Sequence, residues 1–452
     1  MSRIAILGGG MSGLASAVSL LDKGQEVTVY EATDAVGGRC QSVPFAGRHV
    51  VTGAFAFVTG DKNLRTFAER VGAVERHGTI DLTEGHITRI LADDGSTYDV
   101  SSFTIPSMLS CKKVPIIQRL ALARALWPVF KVRKIDPARP GSAASIDGPA
   151  AVPYFRKFSP AFANGVLEPI IGMFFGYDET DYSLAWLLWT FGKSKIRQPH
   201  LGWWTLGGKG AGGLATAAAD TVAEHPNGRV LTSCPVTQVS RQDGGYVVHS
   251  ANGDEHFDQV VVALPAPAIS KVLPWLDQER KKFFDGVRYA THDLAYFATT
   301  PVGDLPGGPM PSEGVGLLTP KSLGFDLVSN VHVSTLPDGR SMVMAETKGR
   351  HHGALAEAPN DEILDAIWRE VTKAIPSTSK VEVSDRLLCR QDSGLVARQP
   401  GHMAAHAAFD SLPAVPGVAF AGDYLLQCSV GYAVITGQRA ARTLLKGQTE
   451  QP

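Results

Sequence analysis

The sequence has few cysteines, and they lie far apart. Its 452 residues include five, Cys40, Cys111, Cys234, Cys389 and Cys428, and none has C-x-x-C or Cys/His ligand spacing. A disulfide framework or a zinc site would need clustered cysteines. The pattern therefore argues against both, and we expect no metal centre.

Long apolar runs and an excess of charge are also missing. No uninterrupted apolar stretch approaches the ~18 residues of a membrane-spanning helix, and the first strand starts at residue 3, which leaves no room for a signal peptide. With 43 basic and 44 acidic side chains the net charge is −1, so there is no electrostatic case for nucleic acid. We expect a cytoplasmic protein. Its length exceeds a single ordinary core, which predicts two domains.

The residue patterns of hydrolytic catalysis are absent as well. The sequence contains no G-x-S-x-G nucleophile elbow, no paired-carboxylate motif and no H-E-x-x-H zinc motif. The chemistry must therefore come mainly from a bound cofactor, while the protein supplies binding, orientation and electrostatics.

A glycine-rich turn between a strand and a helix opens the chain. An apolar strand over residues 4–7 leads into Gly8–Gly13, which fits G-x-G-x-x-G, and helical periodicity follows from Leu14 to Leu21. A second strand, Val27–Tyr30, ends at Glu31. This order of strand, turn, helix, strand and acid is typical of dinucleotide binding.

Each part of this motif has a physical role. Gly8 permits the tight turn, Gly10 lets the backbone approach a pyrophosphate, and Gly13 allows close helix–strand packing. The helix N-terminus offers free N–H groups and the positive end of its dipole to the phosphates. The carboxylate of Glu31 can accept hydrogen bonds from ribose hydroxyls.

Two further motifs distinguish this chain from an ordinary nicotinamide-binding protein. Gly37-Gly38-Arg39 lies just beyond the second strand. Near the other end, the strand Val418–Phe420 leads to Gly422-Asp423, and a helix with several small residues starts at about Val430.

Together these motifs resemble the flavin-dependent amine oxidase, protoporphyrinogen oxidase and phytoene desaturase superfamily. The resemblance implies an α/β protein in which a Rossmann-type FAD-binding domain is interleaved with an α+β substrate-binding domain. It also implies an extended FAD. Since Cys389 does not match the cysteine that binds flavin covalently in some members, we expect the FAD to be non-covalent.

The resemblance further assigns parts of FAD to positions in this sequence. It implies that Glu31 holds the adenosine ribose, that Arg39 lies near the phosphates or the flavin, and that Asp423 contacts the ribityl–phosphate region. Backbone N–H groups at Val430 and Gly431 would face the flavin pyrimidine edge. The backbone at Val236, which sequence alone reads equally well as a core strand residue, would contact the adenine. The complete predicted cofactor set is Gly8, Gly10, Met11, Ser12, Gly13, Glu31, Ala32, Gly38, Arg39, Gly53, Ala54, Phe55, Val236, Gly422, Asp423, Val430, Gly431 and Ala433.

The predicted domains are interleaved along the chain. The FAD-binding domain comprises residues 1–75, 207–285 and 385–452, and the substrate-binding domain comprises 76–206 and 286–384. We expect the block 76–206 to be helical and rich in aromatic residues. The block 286–384 should mix strands at 294–298 and 342–345 with a helix over 361–374. A pocket between the two domains is the natural place for a substrate.

Departures from the family pattern shift the expected chemistry. Amine oxidases usually carry a lysine near flavin N5 on a strand that corresponds loosely to residues 289–297, and this strand has none. Ser429 stands where a cage tyrosine is expected, and Tyr432 is close but displaced. We predict that Tyr432 lines the flavin face. His292, with Asp293 beside it, is a candidate acid/base, although such a pair is more often structural.

The favoured function is an FAD-dependent dehydrogenase or desaturase that takes hydride from a carbon of a largely hydrophobic small molecule. A divergent amine oxidase and a flavin-dependent double-bond isomerase remain alternatives within the fold. A lipid carrier without redox chemistry, of the Rab GDP-dissociation-inhibitor type, is the alternative from another class. The residues do not specify the electron acceptor, since oxygen, a quinone or another protein could each reoxidise the flavin.

One basic segment is also distinctive. Seven basic residues and no acid lie between Val100 and Ile135, interspersed with apolar residues that include Trp127. An amphipathic basic helix with tryptophan can bind a membrane surface, whereas the simpler interpretation is a helix with a solvated basic face. The hypothesis from sequence is a weak membrane-surface contact through residues 112–134.

Overall fold

The computed structural model describes residues 1–58, 61–82, 87–101, 111–125, 127, 136, 138–175, 182–192, 203–242, 244–310, 316–349, 355 and 357–449. The strands are β1 (Arg3–Leu7), β2 (Glu26–Tyr30), β3 (Ser42–Phe45), β4 (Arg48–Val51), β5 (Phe57–Val58), β6 (Thr79–Leu82), β7 (Ile87–Leu91), β8 (Thr97–Ser101), β9 (Trp203–Leu206), β10 (Gly228–Leu231), β11 (Val236–Gln242), β12 (Gly245–Ser250), β13 (Gly253–Phe257), β14 (Gln259–Val262), β15 (Tyr289–Ala290), β16 (Leu294–Thr299), β17 (Leu317–Leu318), β18 (Val328–Thr335), β19 (Ser341–Thr347), β20 (Val383–Cys389), β21 (Leu395–Val396) and β22 (Val418–Phe420).

The helices are α1 (Met11–Leu21), α2 (Lys62–Arg70), α3 (Ala73–His77), α4 (Ile116–Ala125), α5 (Ala151–Arg156), α6 (Pro160–Phe162), α7 (Glu168–Phe175), α8 (Leu184–Gly192), α9 (Ala211–Ala223), α10 (Ala266–Val272), α11 (Gln278–Gly286), α12 (Asn360–Ala374), α13 (His402–Asp410) and α14 (Val430–Thr449). A π-helical turn, Ala163–Leu167, joins α6 to α7.

A parallel sheet with the order β10-β2-β1-β14-β22 forms the first layer. Its central strands are apolar and almost completely buried, as expected for a parallel sheet covered on both faces. The strands come from all three predicted cofactor segments. The glycine turn after β1, the acid after β2 and the loop after β22 therefore lie at the same edge of this sheet, where ligands bind in open α/β folds.

Helices α1 and α14 pack tightly beside this sheet. A Cβ added at Gly437 would lie 2.2 Å from the carbonyl oxygen of Ser12. The hydroxyl of Ser16 donates to the carbonyl of Gly437 at 3.0 Å. The small residues of α14 thus serve helix packing, which fixes the first turn of α14 relative to the glycine turn.

A seven-stranded sheet, with the order β20-β16-β19-β18-β17-β7-β8, dominates the other half. Helix α12 covers one face through a core that includes Phe297 and Ile367. The opposite face carries Tyr296 and Met344 and meets the β3–β4 hairpin of the first segment. The hydroxyl of Tyr296 donates to the carbonyl of Val51 at 2.7 Å, so this second face is held against the cofactor-binding half.

Several predicted elements are confirmed, and one is wrong. Strands at 294–298 and 342–345 and the helix at 361–374 are present as parts of β16, β19 and α12. The block 76–206 is not helical near its start, because β6, β7 and β8 lie at residues 79–82, 87–91 and 97–101. The turn Asp94-Gly95 joins β7 to β8 in antiparallel register and is a hairpin signal that the helical interpretation missed.

The small sheet β5-β9-β6 combines a strand of the first predicted cofactor segment with two from the block 76–206. Within the part of the chain that the structure describes, no helix is both long and apolar enough to cross a membrane.

Candidate active site

The glycine turn between β1 and α1 has the shape that the sequence predicts. Gly8 has φ +103°, a conformation in which residues with a Cβ are strained, and a Cβ added there would also lie 2.7 Å from the carbonyl oxygen of Ala263. A Cβ at Gly13 would lie 1.9 Å from the carbonyl oxygen of Gly8. At Gly10, by contrast, no described atom lies within 4 Å of an added Cβ. Protein atoms thus pack closely against the turn at Gly8 and Gly13, whereas the space beside Gly10 is open.

The N-terminus of α1 is available to a ligand. Gly10 is its N-cap, no described side chain caps it, and its first turn contains no acid. Met11, Ser12 and Gly13, all predicted cofactor residues, form that first turn and are buried. An uncapped helix N-terminus beside an open glycine fits a pyrophosphate.

Glu31 lies next to this turn. One carboxylate oxygen accepts from the backbone N–H of Gly9 at 2.9 Å, and the other accepts from the N–H and hydroxyl of Thr33 at 2.9 Å and 2.8 Å. A carboxylate has about four acceptor positions, so one remains for a ribose hydroxyl. The backbone of Ser233 and Cys234 is paired with Thr33 and Glu31, which brings the start of β11 at Val236 close to Ala32.

The strongest polar contact of the site joins Arg39 to Asp423. The guanidinium donates to both carboxylate oxygens at 2.9 Å and 2.7 Å, and Nη1 also donates to the carbonyl of Gly394 at 3.0 Å. Burial alone would raise the pKa of Asp423, but the charge and hydrogen bonds of Arg39 hold that pKa below its ordinary value. Asp423 therefore stays ionised, and the pair fixes the loop after β22 against the loop after β2.

The other predicted residues of the two loops lie around this pair. A Cβ at Gly38 would lie 3.6 Å from the Cα of Gly10. The N–H of Ala54 donates to the carbonyl of Arg39, and a Cβ at Gly53 would lie 2.5 Å from that oxygen. The N–H of Gly422 donates to the hydroxyl of Thr436 in α14 at 3.1 Å.

Behind Asp423 lies a second arginine that sequence reasoning missed. Arg398 is completely buried, donates to the carbonyls of Asp423 and Tyr424 at 2.8 Å and 3.1 Å, and stacks on Trp186. The sequence gives little reason to select Arg398, because it precedes a helix and belongs to none of the cofactor-binding motifs.

The N-terminus of α14 also has a partner that the sequence did not reveal. Val430 and Gly431 are buried in its first turn, and Ala433 packs on the core of the cofactor-binding half. The carboxylate of Asp61, which caps α2 at the N–H of Leu64, lies directly against Gly431. Burial raises the pKa of Asp61, although the N–H of Leu64 opposes that shift.

Tyr432 lies where the cofactor-binding half meets an aromatic cluster. Its ring centroid is 6.5 Å from that of Trp189, and Phe55 lies at the same distance from Trp203. Burial, and then the nearby charge of Asp61, raise the pKa of the Tyr432 phenol. We name Phe55, Trp186, Trp189, Trp203 and Tyr432 the aromatic wall.

His292 is buried, and the structure gives it a partner on another strand. Its Nε2 lies 3.1 Å from a carboxylate oxygen of Glu346, which is also buried. The neighbouring Asp293 faces elsewhere, with its carboxylate near the N–H of Gln391 at 3.4 Å. The structure therefore pairs His292 with Glu346, a residue that the sequence gave no reason to select.

The structure brings most predicted cofactor residues to one edge of the parallel sheet. The open Gly10, the uncapped helix, the remaining acceptor position of Glu31 and the Arg39–Asp423 pair fit the phosphates and ribose of FAD. Among the described residues there is no group of three or more His, Cys, Asp or Glu side chains that could hold a metal ion.

Comparison with known proteins agrees with this geometry. The family model described as flavin containing amine oxidoreductase matches residues 11–445. The zeta-carotene desaturase of Zea mays is 24% identical over 464 residues, covering 88% of this chain and 75% of that protein. The zeta-carotene desaturase of Synechocystis is 43% identical over 72 residues, which is 16% of this chain and 15% of that protein.

Similarity to solved structures extends over the whole chain. Cyclohexylamine oxidase from Brevibacterium oxydans aligns with 99% of this chain and 100% of its own, with a TM-score of 0.76 and 18% identity. This likeness shows the predicted two-domain α/β fold. The chain belongs to the family of flavin-containing amine oxidoreductases, and it is an FAD-dependent oxidoreductase.

Proposed function

We propose that the protein is a desaturase or dehydrogenase that removes hydrogen from a carbon centre of a largely hydrophobic small molecule, with non-covalent FAD as hydride acceptor. The observation that carries this proposal is the aromatic wall. Phe55, a predicted cofactor residue, and Tyr432, which lies between the predicted residues Gly431 and Ala433, touch tryptophans of the block 76–206. A substrate between the flavin and this wall would meet apolar surface.

The segment that comprises β15 and most of β16 supports the same choice. Residues 289–297 contain no lysine, and Ser429 stands at the expected cage position. Both features argue against amine oxidation. The curated relatives are named as desaturases of a carotene, which is an apolar polyene and suits an aromatic wall.

The bound flavin supplies the two-electron acceptor, and the chain supplies position. The glycine turn, Glu31, Arg39 and Asp423 hold the dinucleotide, while the first turn of α14 orients its reactive end. The aromatic wall excludes water from the reacting carbon. The cofactor residues predicted from the sequence and the role of Tyr432 at the flavin face are part of this proposal.

The direct test is the visible spectrum of the purified protein, followed by anaerobic titration with zeta-carotene in detergent micelles. We expect a yellow protein that releases intact FAD, bleaching of the flavin band, and a product lighter by one H₂. Reduction by cyclohexylamine instead would indicate an amine oxidase. A rearranged product without lasting bleaching would indicate an isomerase. A colourless protein that does not take up FAD would indicate a carrier.

We also propose that helix α4 binds the surface of an anionic membrane, where an apolar substrate would reside. Ile116, Ile117, Leu120 and Trp127 are between 64% and 78% exposed, while the helix buries only Leu122 and Ala125 on its opposite side. Cations at Lys112, Lys113 and Arg124 flank this apolar face and are exposed. Exposed large apolar residues rimmed by cations match the chemistry of an anionic bilayer. The protein would then be cytoplasmic and peripheral. The rest of the predicted segment, residue 126 and residues 128–134, lies outside the described residues.

Co-sedimentation with vesicles of phosphatidylcholine and phosphatidylserine tests this surface. We expect pelleting that increases with phosphatidylserine and that the substitution Ile117→Asp abolishes. Ile80→Asp is the matched control, because Ile80 is also an exposed isoleucine but lies in β6. Equal pelleting of the Ile117→Asp and Ile80→Asp variants would contradict the proposal.

A further inference from the structure

A chain of buried polar side chains, which we call the relay, starts in the seven-stranded sheet and ends beside the predicted cofactor site. Asn330 in β18 donates through Nδ2 to one carboxylate oxygen of Glu346 in β19 at 3.3 Å. The other oxygen of Glu346 lies 3.1 Å from Nε2 of His292. Asn330, Glu346 and His292 are exposed by 0%, 1% and 6%, so the relay is shielded from bulk solvent.

The relay fixes which ring nitrogen of His292 carries a proton in the neutral imidazole. An ionised carboxylate only accepts hydrogen bonds, and one oxygen of Glu346 already accepts from Asn330. Nε2 must therefore donate to Glu346, and Nδ1 is left with its lone pair. Nδ1 is buried and has no hydrogen-bond partner among the described residues.

His292 is also tied to the Arg39–Asp423 pair. A Cβ added at Gly394 would lie 2.4 Å from the Cβ of His292, so the two residues are in close backbone contact. The carbonyl of Gly394 accepts from Nη1 of Arg39 at 3.0 Å. Tyr289, in the strand before His292, stacks with the same guanidinium at 5.9 Å. His292 thus lies directly beside the loop whose carbonyl binds Arg39 of the predicted cofactor site.

We infer that His292 is the proton acceptor of the reaction and that Glu346 and Asn330 are its positioning residues. This inference rests on the proposed function, because the base acts on the substrate of that reaction. In the step, FAD would, when bound, supply the acceptor for one hydrogen of the substrate and for both electrons of its C–H bond. The neighbouring C–H bond gives its proton to Nδ1 of His292, and the electron pair left behind becomes the new carbon–carbon π bond.

The charges around His292 suit this role. Glu346 faces it from β19, Asp293 precedes β16 beside it, and Arg39 lies on the far side of Gly394. Glu346 stabilises the imidazolium that forms when Nδ1 takes the proton, as an orienting carboxylate does beside a catalytic histidine.

Nitrogen-15 NMR of histidine-labelled holoprotein tests the tautomer without any substrate. The signal of His292 is assigned by its loss in the His292→Gln variant. We expect a protonated Nε2 and an unprotonated Nδ1 in the wild type, and a mixture of tautomers in Glu346→Gln. A proton on Nδ1 in the wild type would overturn the inference.

Rapid anaerobic reduction of the flavin by zeta-carotene tests the role. A positioned base contributes about 10²–10⁴-fold, so His292→Ala should slow reduction at least about a hundredfold while FAD content stays unchanged. Glu346→Gln should slow it less, and the loss of rate should match the loss of the tautomer with an unprotonated Nδ1 that the NMR spectrum reports. A purely structural role would not tie the rate to the tautomer.

The matched control is His332→Gln, since His332 is also buried in the same sheet but lies in β18 away from Gly394. It should leave the reduction rate within about a factor of two. Reduction of His292→Ala at the wild-type rate would overturn the inference while leaving the proposed function intact. Failure of zeta-carotene to reduce the wild type would contradict the proposed function, and with it this role for His292.

Discussion

Two ion pairs each join distant parts of this chain, and they are built differently. Arg39 and Asp423 meet through two contacts of 2.9 Å and 2.7 Å, and the arginine side chain is 34% exposed. Lys348 and Glu168 meet through one contact of 3.2 Å, and their side chains are only 6% and 8% exposed. The first pair lies in the predicted cofactor site, whereas the second joins the residue after β19 to α7.

From this difference we expect the first pair to serve cofactor binding and the second to serve packing. The Arg39 side chain keeps 34% of its surface exposed at the predicted cofactor site, and its fork matches the carboxylate geometry. Lys348 is enclosed, with its ammonium also donating to the carbonyl of Phe325 at 3.0 Å, and burial lowers its pKa although Glu168 opposes that shift. Breaking a buried ion pair lowers the free energy of unfolding strongly, whereas an intact pair with a single contact adds little to it.

The largest effect is therefore expected from breaking the enclosed pair. Glu168→Ala leaves the Lys348 charge buried without its carboxylate, which should lower the free energy of unfolding by about 3–5 kcal/mol. The control is the double variant Glu168→Leu with Lys348→Met, which removes both charges and should be markedly more stable than Glu168→Ala. Urea unfolding measures both. Equal destabilisation of the two variants would contradict a charge-based cost.

The cofactor-site pair should instead show its effect on FAD. Asp423→Asn removes a charged acceptor from two hydrogen bonds of Arg39, which we expect to cost about 1.5–3 kcal/mol. The loss should appear both in unfolding and in release of FAD on dialysis. Asp385→Asn is the control, since Asp385 pairs with Arg340 at the surface and lies far from the site. Loss of stability with full FAD retention in Asp423→Asn would mean that the pair is only structural.

Glu31 differs from both ion pairs. Its carboxylate accepts from N–H and O–H groups and has no cation partner among the described residues. Glu31→Ala should weaken FAD binding by roughly 1.5–3 kcal/mol, since ribose hydroxyls lose a charged acceptor. The dissociation constant of FAD for reconstituted apoprotein measures this effect. Asp34→Ala, at an exposed acid close in sequence, should leave it unchanged. Unaltered affinity of the Glu31→Ala variant would contradict the predicted position of the adenosine ribose.

The nucleotide-binding half was the easier to predict from sequence, and the reason is local geometry. Gly8, Gly13 and Glu31 act through a turn and a strand end that are continuous in the chain, so their spacing carries the information. The FAD cofactor and the fold class are confirmed. The domain limits and the residue roles remain predictions.

The substrate side depends on contacts between residues far apart in sequence, and no local pattern reveals them. Glu346 lies 54 positions after His292, and only the pairing of β16 with β19 brings them together. Asp61 and Gly431 meet because α2 packs on α14. The strands β6, β7 and β8 were not predicted. The helical interpretation rests on the aromatic-rich residues that follow them, and it includes these strands only because they belong to the same block.

The last prediction concerns acid stability behind the Arg39–Asp423 pair. Nε2 of His402 lies 3.2 Å from Arg398, and burial followed by that guanidinium lowers the pKa of His402 to about 3 from 6.5. The unfolded chain therefore takes up the proton first as pH falls, and the free energy of unfolding should drop by up to about 1.4 kcal/mol per pH unit for this one group between pH 6.5 and 3. His406, whose pKa is also lowered by burial, steepens the loss of stability.

The substitution His402→Phe tests this effect. The new ring can stack on Phe283, which the imidazole already faces at 6.3 Å, so packing is kept while the unfolded chain takes up one proton fewer. Its stability should fall less steeply with acid than that of the wild type. Equal slopes in urea unfolding from pH 7 to 4.5 would mean that His402 does not take up a proton on unfolding in this range.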